Sequence, residues 1–590
     1  MQRTVVMILT LAVVFGGSAL AQQVQVREET LANGMKLLMV ERHDAPTVTC
    51  GWVAKVGSVN EPQGITGISH LFEHMMFKGT KTIGTSDMAK DAEILKQQDA
   101  VRAEMEKEYT ALRDKLRRGE IAGNIYDTDN ITPRLKELKG EIEKLYAAEK
   151  DVIVKDELDQ IYTQAGGSGL NAGTSEDQTF YFITVPRNKL ELWFWMESDR
   201  LLNPVFREFY SERDVVREER RLSVESTPTG KFEEEFESMF WQSSPYSHPV
   251  LGWPSDVESI TRAQAEAYFG TYYAPNNLTA VLVGDIDPAA ALALAHRYLE
   301  RVPRGALPPP EMLTAEIPQL AEKRFVAEAE TNPEVNIRYH AVPFNHKDYF
   351  ALQLLADLLN KRTGRLYRLV EEQHVAVGEP YAMCRWMKYE GYFEVGAEVK
   401  DGRRPEEVEA ALLAEVDKLK AEPVGERELQ KVKNQELANS FRRLQSNFFL
   451  ALQLMLYDSD GDWKFLNESS ARLQAVTAAD IQDVARKYFA KENSNVATYL
   501  RKAGGAPDDP ELAALPAQMR GMVKQQIAQI EHVTEASELQ EMLAQFQQMA
   551  GQMPPAMKPA LDYIMKKAQA RLEALAGQPA AQAKPAQGGK

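Results

Sequence analysis

Two histidines and a glutamate stand within five residues, His70-Leu71-Phe72-Glu73-His74. A helix completes a turn in 3.6 residues, so histidines four apart project from one face and bring both imidazoles within reach of a single zinc ion. Glu73 stands beside them and could take a proton from water whose pKa the metal lowers to about 7, leaving hydroxide as a nucleophile. The bland reading is two ordinary helix histidines. With nine histidines in 590 residues, this five-residue order is uncommon by chance.

The flanking sequence predicts the elements that would hold these residues. Lys36 to Val40 and Val48 to Val53 alternate as strands do, with turns at Asn33-Gly34 and Asp44-Ala45-Pro46. A helix is expected to begin near Thr66, to carry His70 through Phe77 and to end at Gly79. From Met88 to about Gln164 charge becomes dense. Ile94, Val101, Met105, Leu112 and Leu116 run one way, and Leu135, Leu138, Ile142, Leu145 and Val152 run back. Their intervals of three, four and seven predict an antiparallel helical, coiled-coil-like hairpin turned around Gly119 to Asn130.

Two distant segments share one pattern. Thr261 to Leu282 and Thr477 to Leu500 each read as a Thr-capped helix, a Tyr-rich end, an Asn turn and a β-branched strand. Glu212–Arg220 and Glu428–Glu436 form a second matched pair, each on a helix a similar distance upstream. Duplication into two α+β halves accounts for both. The expected division is a leader at 1–21, a histidine-bearing domain at 22–306 with the hairpin inserted at about 88–164, and a Pro-rich linker at 307–322. A homologous domain at 323–503, a helical appendage at 504–576 and a disordered tail at 577–590 follow.

At the pentad the sequence resembles the pitrilysin or insulysin family, inverzincin peptidases whose motif runs HxxEH. Gly67 before the helix and Phe77-Lys78-Gly79-Thr80 after it extend the likeness, as does Leu170-Asn171-Ala172-Gly173-Thr174-Ser175 with Thr179 and Tyr181. The resemblance implies a zinc endopeptidase. It makes the 170–175 stretch an edge strand beside the metal, with Asn171, Ala172 and Thr174 against an extended substrate. It also implies a third ligand within Glu212-Arg213-Asp214-Val215-Val216-Arg217-Glu218-Glu219. Residue-by-residue matching puts that ligand at Glu219. Glu212, seven earlier on the same face, matches a second glutamate kept near the site and joins Glu73 in the expected catalytic set; Glu218 is the rival ligand. The helix Tyr349 to Lys361, which repeats the histidine helix, has no such ligands, and Gln435 falls opposite Glu219. The second half is therefore metal-free. The fold implied is α+β, two homologous mixed α/β halves forming a clamshell chamber, with an inserted helical hairpin and a helical C-terminal appendage.

In the family the metal-free half supplies an arginine and a tyrosine that hold substrate, and here Val370 and Val377 stand in those places. A homologous partner chain lacking the metal site would then supply the clamp; alternatively Arg368 or Tyr381 takes it over after a small register shift. Composition narrows the remaining classes. A net charge of −17 argues against nucleic acid as partner. Met1-Gln2-Arg3, the apolar run Val5 to Phe15 and Ala19-Leu20-Ala21 read as a secretory signal peptide, shorter than the ~20 apolar residues of a span. With no later apolar segment long enough to cross a bilayer, the mature chain is expected in the periplasm or secreted, acting on peptides or unfolded protein segments. The other reading is a metal-binding but noncatalytic scaffold or peptide-binding subunit of an envelope complex. Cys50 and Cys384 are expected as buried thiols.

Overall fold

The structure is a computed structural model and describes residues 23–502, 510–533, 536–550 and 557–576. The expected leader and C-terminal tail lie outside the described residues.

The first half is built on six strands: β1 (Arg27–Thr30), β2 (Lys36–Glu41), β3 (Thr47–Ala54), β4 (Ser168–Thr174), β5 (Thr179–Pro186) and β6 (Leu278–Gly284), in the order β1-β2-β6-β3-β5-β4. β2 runs parallel to β6, and β3 pairs antiparallel with both β6 and β5. β4 closes the order and leaves one edge of the sheet unpaired. Because side chains alternate across a strand, Leu37, Cys50, Trp52 and Leu282 face one core while Leu38, Val53, Val281 and Val283 face another.

The second half repeats this pattern with β7 (Lys323–Ala329), β8 (Glu334–His340), β9 (Ala376–Trp386), β10 (Gly391–Val399) and β11 (Ser494–Arg501), ordered β7-β11-β8-β10-β9. Setting β2-β6-β3-β5-β4 beside it gives a strand-for-strand match, including the parallel first pair. The matched sequence segments also fold alike. Thr261 caps the helix Arg262–Tyr272 and Thr477 caps Ala478–Tyr488, each in a capping box and each followed by a short 3-10 turn into β6 or β11. The architecture is mixed α/β with two sheets.

On the first core face lie α1 (Ile68–Met75) and the helix Leu190–Leu202; Leu71, Phe72 and Met75 pack beside Trp52 and Tyr181. The hairpin is α2 (Met88–Arg117) and α3 (Pro133–Lys150), followed by α4 (Glu157–Gln164). Its outer part has a core of its own around Val101, Met105, Leu112, Leu135 and Leu138. Its base does not behave as a detachable insert. Asp91 pairs with the buried Arg207, whose remaining N–H groups donate to the carbonyls of Lys78, Thr80 and Ile83, and Tyr162 of α4 donates to the buried Glu197. Excising 88–164 would take from Arg207 its carboxylate and from Glu197 the Tyr162 hydroxyl, although Glu197 would keep Trp52 and Arg200.

Beyond β11, the helices Ala517–His532, Ala536–Ala550 and Lys558–Ala576 pack around Val523, Ile530, Leu539 and Ile564. Among the described residues no helix is long and apolar enough to cross a membrane. Cys50 is buried as expected, whereas Cys384 packs against the second core but is only partly covered, because β9 is the edge strand of its sheet.

Candidate metal centre

Gly67 opens α1 in the left-handed region, φ 88°, where an added Cβ would meet the Leu251 carbonyl at 2.7 Å. No side chain caps the helix from within. Instead the buried Glu61 carboxylate accepts from the amides of Gly67 and Ser69, both at 2.7 Å, placing an acceptor on the positive helix end. Burial pushes that carboxyl up to about 8.

α5 (Leu190–Leu202) is followed by α6 (Phe209–Arg220), which lies against α1 and presents Glu212 and Glu219 to it. One Glu219 oxygen lies 3.6 Å from His70 Nε2 and the other 3.5 Å from His74 Nε2. One donor atom from each of the three residues falls within 4.8 Å of the others. Glu218, the rival, points away and pairs with Arg221. Directly after Glu219 the helix loosens into a π turn at Arg221–Glu225, and Arg220 holds that junction by a bidentate bond to Glu234 of α7 (Gly230–Phe240).

Glu212 stands behind His74, not beside Glu73. Its Oε2 lies 3.3 Å from His74 Nδ1 and its Oε1 2.6 Å from Lys78 Nζ, which also donates to Glu208. Burial opposes the charge on Glu212, but His74 and Lys78 hold its carboxyl below the usual range. Sequence reasoning missed Lys78, whose signal was its place four residues after His74. Burial pulls His70 down to about 4; at His74 burial is outweighed by Glu212 and Glu219, which push it up to about 9. The Glu73 carboxyl is raised by burial and accepts a 2.7 Å hydrogen bond from the Thr174 hydroxyl on β4. Thr174 therefore meets the site through Glu73. Asn171 and Ala172, on the same edge strand β4, pair with Phe182 and Tyr181 of β5.

In the second half, Val370 packs against the core and Val377 lies on β9, while Arg368 is exposed on a short helix. The Tyr381 hydroxyl lies within hydrogen-bond distance of Glu394 Oε1 (2.7 Å) and Asn336 Oδ1 (2.9 Å). Arg385, unforeseen from the sequence, reaches Glu176 at 2.6 Å, two residues beyond Thr174.

Residues 36–123 match the family model for insulinase, peptidase family M16, and residues 259–436 that for the peptidase M16 inactive domain. The chain belongs to the pitrilysin (M16) family. It is a two-domain bacterial type of member, similar to the zinc protease PqqE of Helicobacter pylori at 25% identity over 83% of this chain and 96% of that protein. It is also similar to a probable mitochondrial-processing peptidase subunit beta of Arabidopsis thaliana, at 22% identity over 79% of this chain and 76% of that one. Among solved structures, a protease from Helicobacter pylori superposes with a TM-score of 0.65 at 22% identity, covering 81% of this chain and 100% of that one. The periplasmic protease PqqL from Escherichia coli gives 0.60 at 17% identity, covering 82% of this chain and 49% of that one. These likenesses establish the M16 clamshell fold, α+β with two sheets.

Proposed function

We propose that this chain is a zinc-dependent endopeptidase that binds an extended peptide segment as an added strand along β4. The observation that carries the reading is the convergence of His70 Nε2, His74 Nε2 and Glu219 at 3.5–3.6 Å. These separations are too long for good hydrogen bonds and near the roughly 3.4 Å expected between donors about 2.1 Å from one tetrahedral ion. Two imidazoles and one carboxylate form a donor set that leaves a fourth position open. His70, His74 and Glu219 would hold the zinc, which when bound would supply a Lewis acid for water and the scissile carbonyl.

The chain's own groups do the rest. Thr174 fixes one oxygen of Glu73, and partial burial makes that carboxylate a better base than a solvated one. Glu73 takes a proton from the attacking water as its oxygen bonds to the carbonyl carbon; the C–N bond then breaks and that proton passes to the leaving amine. Glu212, anchored by Lys78, accepts from His74 Nδ1–H and so leaves Nε2 as the free donor. The free edge of β4 offers backbone pairing to any extended segment. A periplasmic location belongs to the same reading, supported by the leader sequence and by PqqL, a periplasmic protease by description. Hydrolysis of a quenched unstructured peptide by the purified chain, with zinc measured in the same sample, tests the proposal. A zinc-loaded wild-type chain without hydrolysis would refute it.

A further inference from the structure

A cavity of about 520 Å³ lies over the second sheet, and none of His70, His74 and Glu219 lines it. Its floor follows from strand alternation. Val335, Ile337 and Tyr339 of β8 and Phe393, Val395 and Ala397 of β10 face the core, so Glu334, Asn336, Arg338, Glu394 and Glu398 face the opposite way. Glu233 and Glu237 of α7 form one wall, and the appendage helix Ala517–His532 forms another. Arg385 reaches out of this lining to Glu176, next to β4.

The two halves alone leave this recess acidic. They contribute five carboxylates, Glu233, Glu237, Glu334, Glu394 and Glu398, against Arg338 and Arg385. Arg338 is engaged by Glu237 and Glu394, and Arg385 by Glu176. The balance comes from the appendage. Arg520 and Lys524, four apart and so on one helix face, both line the cavity. Arg520 forms a buried ion pair with Glu398, and its Nε is buried without a hydrogen-bond partner. Burying a guanidinium is costly unless negative charge awaits it, so the fit of Arg520 marks what the recess accepts.

We propose that this recess binds the cationic side chain of a peptide held between the halves, and that the helix Ala517–His532 fills it in cis as a tethered competitor through Arg520 and Lys524. The substrate class is then arginine- or lysine-containing segments, and the appendage lowers affinity for them. This rests on the peptidase reading for its consequence, though not for its test. The probe is a capped, fluorescein-labelled decapeptide with a central arginine, or citrulline in its place, titrated by anisotropy against the full chain carrying Glu73→Gln.

Arg520→Gln with Lys524→Gln should tighten the arginine peptide by about tenfold and the citrulline peptide by less than about twofold; adding Glu398→Gln should remove the gain. Equal tightening of both peptides, or none, overturns the proposal. If unpairing Glu398 prevents folding, Glu334→Gln leaves the Arg520 pair intact and should weaken the arginine peptide selectively; equal loss for both peptides overturns it. Hydrolysis is read in parallel with Glu73 restored. Selective tightening in a chain that cleaves nothing would refute the peptidase and keep the recess, and cleavage without tightening would do the reverse.

Discussion

In the histidine-bearing half, the sheet face turned away from α1 is covered by an apolar helix of the other half, Asn447–Asp460, which sets Leu450, Leu454 and Met455 against Leu38, Val53 and Val281. In the second half the matching face carries Glu334, Arg338, Glu394 and Glu398 and is covered by α7 and the appendage around a cavity. The strand order is the same in both. The duplication has kept backbone topology and changed what each sheet face asks of its cover. One half gained a donor cluster on one side and a dry seal on the other, while its repeat gained buried charge in place of the seal.

The largest expected effect separates the halves by chemistry. Glu73→Gln should lower kcat by about 10²–10⁴-fold while zinc content, read by atomic absorption, stays near that of the parent. His70→Ala and Glu219→Ala should lose the metal. Chelation should lower the Tm of the parent and added zinc restore it, with no response in Glu219→Ala. Retained hydrolysis in Glu73→Gln would remove the chemical distinction between the halves.

The hairpin has no counterpart in the second half, and its base and tip should behave differently. Asp91→Ala leaves Arg207 buried without its carboxylate and should cost about 3–5 kcal/mol in urea unfolding. Replacing roughly residues 104–140 with a short Gly/Ser turn should cost far less. Comparable losses in the two would mean that tip and base form one cooperative unit.

The sheet coverings can be compared by truncation. Leu454→Ala, in the apolar seal, should cost about 2–4 kcal/mol, whereas Asn336→Ala, which removes an acceptor of Tyr381 beside the cavity, should cost about 1 kcal/mol. The reverse order would mean that the polar face is the better packed of the two.

A further effect of similar size concerns pH. His340 ends β8 against Phe240 of α7, ring centroids 4.0 Å apart, and both its ring nitrogens are buried without hydrogen-bond partners. Burial pulls it down to about 4. The folded chain holds it neutral while the unfolded chain protonates near 6.5, so its contribution is full above 6.5 and is lost as pH falls toward 4. About 1–2 kcal/mol of acid sensitivity should disappear in His340→Phe, measured by unfolding at pH 4.5 and 7.5.

Much of the histidine half was legible in sequence because its signals are local. The pentad fixes its own face on a helix, the Thr caps declare the repeat, and Glu219 follows from the family resemblance, its heptad relation to Glu212 serving only to set it before Glu218. What escaped depends on distant chain. Glu334-Val335-Asn336-Ile337-Arg338-Tyr339 reads as a strand with one face in water, yet α7 and residues almost two hundred positions later cover that face. Arg520 carries no sign in sequence that it will be buried against Glu398. Asp91 likewise gives no hint of Arg207, because an ion pair across 116 residues leaves no periodicity.

The exchange of helices across the halves has a consequence for how the chain is made. The histidine-bearing sheet cannot close its second face until residues 447–460 exist, and α7 of the first half already waits for strands that begin at Lys323. A nascent chain that has emerged only to the 307–322 linker exposes Leu38, Val53, Val281 and Val283 with nothing to cover them, so the first half must be shielded during synthesis or fold together with the second. The same interlock means that a protease cutting within the linker, where Leu307, Leu313 and Leu320 are largely exposed, would leave two fragments that stay together.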